Sequence, residues 1–417
     1  KSKTSLQEML LVDAVVRDKA LGQIAKNLIV RKKELLDANA KDCKMAIANK
    51  IDDAALKRLE LTSTKIESLV KDVQKIRDMP DLLGSWFDVK EMPNGLRVMK
   101  KRVPLGVIAV IYESRPNVTV DISVLCIKTG NALILRGGSE AYESNLALSK
   151  VIVDSIASVG LPKDSIQFIQ SKDRKIVDGI LKMNKYIDLL IPRGSANLVY
   201  KVAREATMPA VTGGVGVCHM YVDDEIDVSV ATKVLTNSKL SRPYACNALD
   251  TMLIHSSSAK EILLSISSNP EWKNVELLCD GNAFSILNEN PNAFKVADAD
   301  WGKEFLSLRI AIKIVDSIDE AIRHIWQFSS GHTDGILTTN ASKSNQFLDE
   351  VDSAVVVVNA STAFNDGAQL GLGSEVAIST KKFHARGPMG MESLLSYKWI
   401  VLGNGRKAEW VRGKVDE

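Results

Sequence analysis

The chain has 417 residues, which is too long for a single domain with one hydrophobic core, so two or three domains are expected. Apolar residues make up 45% and charged residues 25%, and the formal net charge is +3 with both signs interspersed. This composition is typical of a soluble globular protein; it offers no basic tract for nucleic acid and no acidic tail, and its apolar runs are too short to span a membrane.

The N-terminal part, residues 5–80, is predicted to be helical because apolar residues recur at 21, 24, 25 and 28, the spacing of one helix face. Residues 86–102 mix charged and apolar side chains around Asn94-Gly95, a strong turn signal. We expect an exposed two-stranded arm there.

From Gly106 onward, short apolar runs alternate with helical patterns, which favours a doubly wound α/β sheet. The strands are predicted at 107–112, 132–135, 166–169 and 186–191. Ligands of such sheets bind beyond the carboxyl ends of the strands. The loops at 113–117, 136–140 and 192–195 lie at these ends.

A glycine-rich stretch at 208–216 precedes a second alternation, so we expect a boundary there. Strands are predicted at 217–223, 248–255, 275–279, 310–315, 335–339 and 354–358, with helices at 224–239, 257–268, 317–328 and 341–351. Residues 359–390 are loop-rich, which indicates a functional loop. An apolar run at 394–402 follows.

The five cysteines are odd in number and widely spaced, which argues against a disulfide framework and fits a reducing compartment. The five histidines show no metal-ligand spacing, so no metal site is predicted. The chain begins at Lys1 without methionine, so the natural N-terminus is expected upstream; no signal peptide is visible.

One cysteine lies in a polar loop, residues 241–248, ahead of a predicted buried strand. Pro243 stiffens the approach to Cys246, and Arg242 places a cation nearby, which favours the nucleophilic thiolate. On this stretch alone, packing of Cys246 as a small apolar side chain is the commoner explanation. Cys43, Cys126 and Cys279 lie on predicted helices or strands, where packing is favoured over chemistry.

Other loops carry candidates with two explanations each. Gly137-Gly138 between a strand and a helix can cradle a phosphate or form a plain turn, and the G-x-G-x-x-G pattern is absent. Asn117 can donate to an oxyanion or cap the next helix. Arg386 in a glycine-rich loop can bind an anion or remain solvated; Glu304 and His219 give weak local signals.

Taken together, the segments 106–117, 130–140, 218–223 and 241–248 occur in the order found in the aldehyde dehydrogenase superfamily, which the chain resembles over nearly its whole length. Segments 315–322, 372–380 and 384–388 make it similar to the branch that reduces L-glutamyl 5-phosphate in proline synthesis. The cysteine loop and His384-Ala-Arg-Gly-Pro388 are the specific motifs.

The resemblance implies an aldehyde dehydrogenase-like α/β fold with two doubly wound α/β domains plus a β-hairpin oligomerisation arm. The cofactor-binding domain is expected at 1–85 and 103–215, and the catalytic domain at 216–390. Residues 86–102 and 391–417 are expected to form the oligomerisation arm and C-terminal strand.

The resemblance also implies roles for single residues. Cys246 matches the nucleophile, and Asn117 matches the asparagine of the oxyanion hole. The cofactor-binding positions are Arg136 near the adenosine ribose, the loop Gly137, Gly138, Ser139 and Glu140, Ser195 near the pyrophosphate, and Glu304 at the nicotinamide ribose. Candidates for binding substrate phosphate or carboxylate are Arg242, Arg115, Arg386 and His219.

The implied reaction reduces L-glutamyl 5-phosphate to L-glutamate 5-semialdehyde and phosphate through a cysteine thioester, with NADPH as cofactor. A dimer or larger homo-oligomer, a cytoplasmic location and functional coupling to glutamate 5-kinase are expected.

One departure is informative. Oxidising members carry a glutamate ahead of a glycine pair, and it activates the water that hydrolyses the thioester. Here that place reads Val211-Thr212-Gly213-Gly214, without a carboxylate. An oxidising aldehyde dehydrogenase is therefore disfavoured. A non-catalytic structural member is the other alternative, and the retained Cys246 argues against it.

Overall fold

The structure is a computed structural model that describes residues 1–51, 53–213, 215–382, 384–403 and 405. Helices form its N-terminal part: α1 Ser2–Met9, α2 Ala14–Val30, α3 Lys32–Ala48, α4 Asp53–Leu59 and α5 Ser63–Asp78. The apolar face expected on α2 is buried, with Leu21, Ile24 and Leu28 inaccessible to solvent. These residues belong to the core that also covers the first α/β sheet.

The predicted arm is an antiparallel hairpin of β1, Trp86–Glu91, and β2, Arg97–Pro104. Its turn contains Gly95, whose φ of +78° explains the Asn-Gly signal. A third strand, β16 at Leu395–Leu402, pairs with β2 over its whole length. The C-terminal apolar run therefore has a partner within its own chain.

The first α/β unit is a parallel sheet in the order β5-β4-β3-β6. Its strands are β3 Val107–Tyr112, β4 Ala132–Gly137, β5 Ile166–Phe168 and β6 Leu189–Arg193, and its helices are α6 Asn117–Lys128, α7 Tyr142–Ser158, α8 Lys175–Ile180 and α9 Ala196–Glu205. Every residue of β3 is buried, as a continuously apolar parallel strand requires. Gly130, at φ +73°, follows the end of α6, as predicted.

The second unit is a parallel sheet in the order β10-β9-β11-β8-β7-β12-β13. Its strands are β7 Cys218–Val222, β8 Leu249–His255, β9 Glu276–Cys279, β10 Ala293–Lys295, β11 Arg309–Val315, β12 Thr333–Leu337 and β13 Val355–Val358. Its helices are α10 Val228–Leu240, α11 Ser256–Ser268, α12 Gly281–Ile286, α13 Ile318–Phe328 and α14 Ala341–Glu350. The two α/β units expected from the sequence, each with a parallel sheet, are confirmed.

Short elements escaped the sequence patterns. α12 and β10 lie between two predicted strands, and the loop-rich stretch 359–390 holds a small antiparallel ladder, β14 Ala377–Ser379 with β15 Gly387–Met389. Elements of three to six residues carry too little periodicity to be recognised. Within the described residues, no helix combines the length and apolarity needed to cross a membrane. The domain limits given above stay a prediction.

Candidate active site

The cysteine loop joins the end of α10 to the start of β8. Two tight turns shape it: the Ala245 amide donates to the Arg242 carbonyl, and the Ala248 amide donates to the Ala245 carbonyl, both at 3.0 Å. Cys246 at the centre of the loop is half-buried. The run after it forms β8, which is buried up to its last residue, as predicted.

Polar contacts anchor this loop from the protein interior. Asn247 donates its side-chain amide to the carbonyls of Ala363 and Asn365 at 3.3 and 3.1 Å. The thiol of Cys218 donates to the carbonyl oxygen of Cys246 at 3.3 Å. The carbonyl of Cys246 and the side chain of the residue that follows it are thus held by contacts with other segments.

The electrostatic surroundings of Cys246 are mixed. Burial raises the pKa of its thiol to about 11; Arg193 and Arg115 lower it, while Glu375 and Glu304 raise it further. The activating cation expected at Arg242 is a misassignment, because the Arg242 side chain is 69% exposed and pairs with Asp366 at 3.3 Å. The charges that favour the thiolate come from the ends of β3 and β6 instead.

Two carboxylates complete this group. Glu304 accepts the Gly216 amide at 2.9 Å, and burial raises its pKa to about 7. Glu375 accepts the Gly367 amide at 3.0 Å, and burial raises its pKa as well, opposed by the charge of Arg193. The region around the thiol therefore contains groups able to exchange protons near neutral pH.

A cleft of about 1150 Å³ lies at the cysteine loop. Residues 241–245 form one wall, residues 115–121 another, and α4 and α5 the third. Five cations line it, and they outnumber its three carboxylates: Lys57, Arg58, Lys65, Arg115 and Arg242 against Glu60, Asp72 and Asp121. Desolvation lowers the pKa of Arg115, and the charges of Arg193 and Arg58 lower it further. Such a lining suits an anionic ligand.

Asn117 is the first residue of α6 and faces the same cleft. Its amide donates to Asp121 at 2.9 Å, and burial raises the pKa of Asp121 to about 7. The helix-cap alternative is wrong, because Pro116 occupies the N-cap position and no side chain caps the helix. An amide donor at the cleft remains compatible with an oxyanion role.

Except for Glu304, the predicted cofactor residues lie at the carboxyl ends of β4 and β6, which flank β3 in the first sheet. Gly137 ends β4, and Ser139 begins a single helical turn. Glu140 accepts the amide of Ser114 at 2.7 Å, which ties the glycine loop to the loop after β3. A Cβ on Gly138 would lie 2.1 Å from this carboxylate, so a larger residue there would displace the Glu140 side chain.

Two further predicted cofactor residues have defined contacts. Ser195 caps α9, its hydroxyl accepting the Leu198 amide at 3.4 Å, while its own amide donates to Glu113 at 2.7 Å. Arg136 is 6% exposed and donates to the carbonyls of Gly137 and Asp173 at 2.7 and 3.2 Å. Arg136 thus supports the loop from inside the protein.

Two predicted substrate residues lie elsewhere. His219 is fully buried in β7, with Nδ1 3.1 Å from an Asp334 carboxylate oxygen, so no surface remains for a substrate. Arg386 donates to the carboxylate and carbonyl of Asp352, both at 2.6 Å, and does not line the cleft. The assignment of His219 is corrected, because a single polar residue in the sequence carries no information on its burial or on distant partners. The assignment of Arg386 stays a prediction.

The sequence analysis did not nominate Arg193, Arg58 or Glu375. Arg193 lies in the strand-end loop 192–195, so its position was the available signal. Arg58 and Glu375 lie far from Cys246 along the chain, on α4 and in the 359–390 loop, and only folding brings them to the site.

The model of the aldehyde dehydrogenase family matches residues 1–269. A γ-glutamyl phosphate reductase from Dehalococcoides mccartyi is 47% identical over 408 residues, 97% of this chain and 96% of the relative. The enzyme of that name from Shewanella sediminis is 46% identical over 92% of this chain and 91% of the relative. The crystal structure of the Thermotoga maritima γ-glutamyl phosphate reductase superposes with a TM-score of 0.94 at 38% identity, covering 98% of both chains.

The chain belongs to the aldehyde dehydrogenase family, whose members are oxidoreductases that use a nicotinamide cofactor. Within that family it belongs to the γ-glutamyl phosphate reductases, the enzymes of proline biosynthesis to which its relatives are assigned. The resemblance drawn from the four sequence segments is confirmed.

Proposed function

We propose that this chain reduces L-glutamyl 5-phosphate to L-glutamate 5-semialdehyde with NADPH, through a thioester on Cys246. The observation that carries the proposal is the half-buried thiol of Cys246 beside a cation-lined cleft, with Arg115 and Arg193 acting on it. An acyl phosphate is an anion with an electrophilic carbon. It matches both the charge of the cleft and the chemistry of the thiol.

In the proposed reaction, the sulfur of Cys246 bonds to the acyl carbon, and the carbon–oxygen bond to phosphate breaks. Phosphate leaves with that electron pair, and Arg115 and Arg193 stabilise its charge. Asn117 donates to the carbonyl oxygen while that oxygen is negatively charged. When bound, the reduced nicotinamide supplies a hydride to the thioester carbon. Cleavage of the carbon–sulfur bond then returns the electron pair to Cys246.

The proposed cofactor residues are those at the strand ends of the first sheet, Arg136 to Glu140 and Ser195, together with Glu304. The close approach at Gly138 and the exposed backbone of Gly194 and Ser195 suit a ligand that passes close to the main chain. The exposed Arg174, whose charge acts on Arg136, favours a 2′-phosphate and thus NADPH over NADH.

The proposal includes a homo-oligomer that forms through the sheet of β1, β2 and β16. Trp86, Tyr397, Trp399 and Val401 expose about half of their surface on these strands. Apolar residues grouped on an edge sheet favour an interface. We expect light scattering at micromolar concentration to show a dimer or larger oligomer. A monomeric mass for the native chain, with the same mass for the Trp399→Lys variant, would contradict this.

The proposal also places the enzyme in the cytoplasm, because the described cysteines are free thiols. The proposal also includes functional coupling to glutamate 5-kinase. Acyl phosphates hydrolyse readily, so direct transfer from the phosphotransfer reaction that forms the substrate would limit its loss. A coupled assay with a reagent that traps free acyl phosphate tests this coupling. Formation of semialdehyde should persist if the substrate passes directly between the enzymes, and should stop if the substrate is released into solution.

The reverse reaction tests the proposed function directly. Glutamate 5-semialdehyde, NADP⁺ and inorganic phosphate should give NADPH absorbance at 340 nm, and omission of phosphate should limit turnover to one equivalent per active site. Multiple turnovers without phosphate would instead indicate hydrolysis. No absorbance change with any nicotinamide cofactor would overturn the proposal.

A further inference from the structure

The second sheet departs from regular register directly beneath the cysteine loop. Cys218 of β7 pairs with Leu249 of β8, but the next residue, His219, pairs with Thr251, so Asp250 is an extra residue in β8. Such a β-bulge re-aims side chains and is frequent beside active sites. Here it lies at the start of the strand that follows the proposed nucleophile.

At this bulge the thiol of Cys218 contacts the backbone of Cys246. Its sulfur lies 3.3 Å from the Cys246 carbonyl oxygen, within range of an S–H···O hydrogen bond. Cys218 is fully buried, and burial raises its pKa well above the usual value, so the thiol keeps its proton and remains a donor. Gly216 crowds the same carbonyl: a Cβ there would stand 1.7 Å from the oxygen.

We propose that Cys218 is a positioning residue whose hydrogen bond fixes the Cys246–Asn247 peptide and thereby the direction of the Cys246 thiol. This inference rests on the proposed function, in which Cys246 is the nucleophile. Rotation of this peptide changes the backbone torsion of Cys246 and moves its sulfur relative to the cleft. A displacement of about 1 Å at a reacting atom costs on the order of 10²-fold in rate.

Buried polar groups surround Cys218 and the bulge. Lys239 is fully buried with its ammonium nitrogen 3.8 Å from Asp250, and Asp250 accepts the Phe305 amide at 3.2 Å. His332 places Nδ1 3.8 Å from the Cys218 sulfur. An apolar side chain at 218 would fill the same space but would leave the Cys246 carbonyl without this donor.

Paired substitutions separate positioning from packing. Cys218→Ala removes the donor and Cys218→Ser restores one; Cys218→Val and Cys218→Thr repeat the comparison in side chains of equal shape. Cys279→Ala is the matched control, a buried thiol on β9 of the same sheet that donates to its own strand at the Leu277 carbonyl, 3.5 Å away. Each variant is measured for kcat, KM and thermal unfolding in the reverse assay, and for alkylation of Cys246 by mass spectrometry.

We expect Cys218→Ala and Cys218→Val to lower kcat about tenfold or more with little change in KM, and the hydroxyl variants to recover most of it. Cys279→Ala should lose thermal stability but keep its kcat. Equal kcat in the Val and Thr variants, or a loss of kcat in Cys279→Ala as large as in Cys218→Ala, overturns the inference. If Cys218→Ala does not fold, the Val and Thr pair decides.

A separate variant distinguishes failure of this inference from failure of the proposed function. Cys246→Ala is assayed in parallel, and activity in that variant would remove the nucleophile assignment itself. The alkylation rate of Cys246 in the Thr and Val variants tests the hydrogen bond without any turnover: a rate that differs between them supports the contact, and identical rates oppose it.

Discussion

The two sides of the active site balance their charges differently. At the strand ends of the first sheet, the chain's own carboxylates occupy backbone donors: Glu140 accepts from Ser114, and Glu113 accepts from Ser195. At the cysteine loop, burial lowers the pKa of Arg115, and the charges of Arg193 and Arg58 lower it further. Carboxylates accept backbone amides on this side as well, so the two sides differ in the group of cations at the cysteine loop, which suits an anionic ligand.

The thiol of Cys246 is held in its protonated form mainly by burial, which raises its pKa to about 11. Glu375 and Glu304 raise this pKa further, whereas Arg193 and Arg115 lower it. The proposed enzyme places these two cations where the leaving phosphate forms.

The largest effect is expected at the nucleophile, which only the cysteine side supplies. Cys246→Ala should lower kcat on the order of 10⁴-fold or more, because removal of a covalent nucleophile removes the reaction path. NADPH binding, followed by its fluorescence, should stay nearly native because the cofactor side is intact. Turnover comparable to the unmodified protein would sink the assignment; Cys279→Ala serves as the control thiol.

How much of this was predictable depends on distance along the chain. β3, the cysteine loop and the strand-end loops were read from the sequence because each is coded by local runs of residues. Of the cations that act on Cys246, Arg115 was nominated only as a substrate-binding residue and Arg193 was not nominated, because both act on it from another sheet. The nearest cation in sequence, Arg242, pairs with Asp366 instead. His219 failed for the same reason: its burial depends on Asp334, far away in sequence.

The next effect concerns the fate of the thioester. We predict from the sequence that Thr212 stands where an oxidising relative would carry the water-activating glutamate, and a general base is typically worth about 10²–10⁴-fold. Thr212→Glu should raise hydrolysis by about 10²-fold without cofactor. Gly213 is unsuitable for the same substitution, because a Cβ there would lie 2.6 Å from the Thr380 amide nitrogen.

Free glutamate formed from the acyl phosphate in the absence of NADPH measures that hydrolysis. Thr212→Gln is the control, with the same shape and no base. Fast multiple-turnover hydrolysis by the unmodified protein would show that another base activates water. The absence of a glutamate at this place would then not distinguish a reductase from an oxidising enzyme.

A moderate effect is expected at the arginines. Arg115→Ala and Arg193→Ala should raise the KM for inorganic phosphate in the reverse reaction about 10- to 100-fold, as loss of a charged hydrogen bond does. The first equivalent of NADPH, which precedes phosphate entry, should keep its amplitude. Arg204→Ala, an exposed arginine at the end of α9, is the control. An unchanged KM for phosphate in both site variants would place the phosphate elsewhere in the cleft.

The smallest effect is the most direct measure of the charge balance at Cys246. Glu375 raises the pKa of the thiol, so Glu375→Gln should lower that pKa; Arg193 lowers it, so Arg193→Gln should raise it. Because thiolate reacts and thiol does not, alkylation by neutral iodoacetamide at pH 8 should speed up in the first variant and slow down in the second. Each unit of pKa corresponds to about tenfold in rate at a pH well below the pKa. Glu205→Gln, at a partly exposed carboxylate at the end of α9, should leave the rate unchanged. Equal shifts in one direction for both variants would mean that packing, and not charge, controls the thiol.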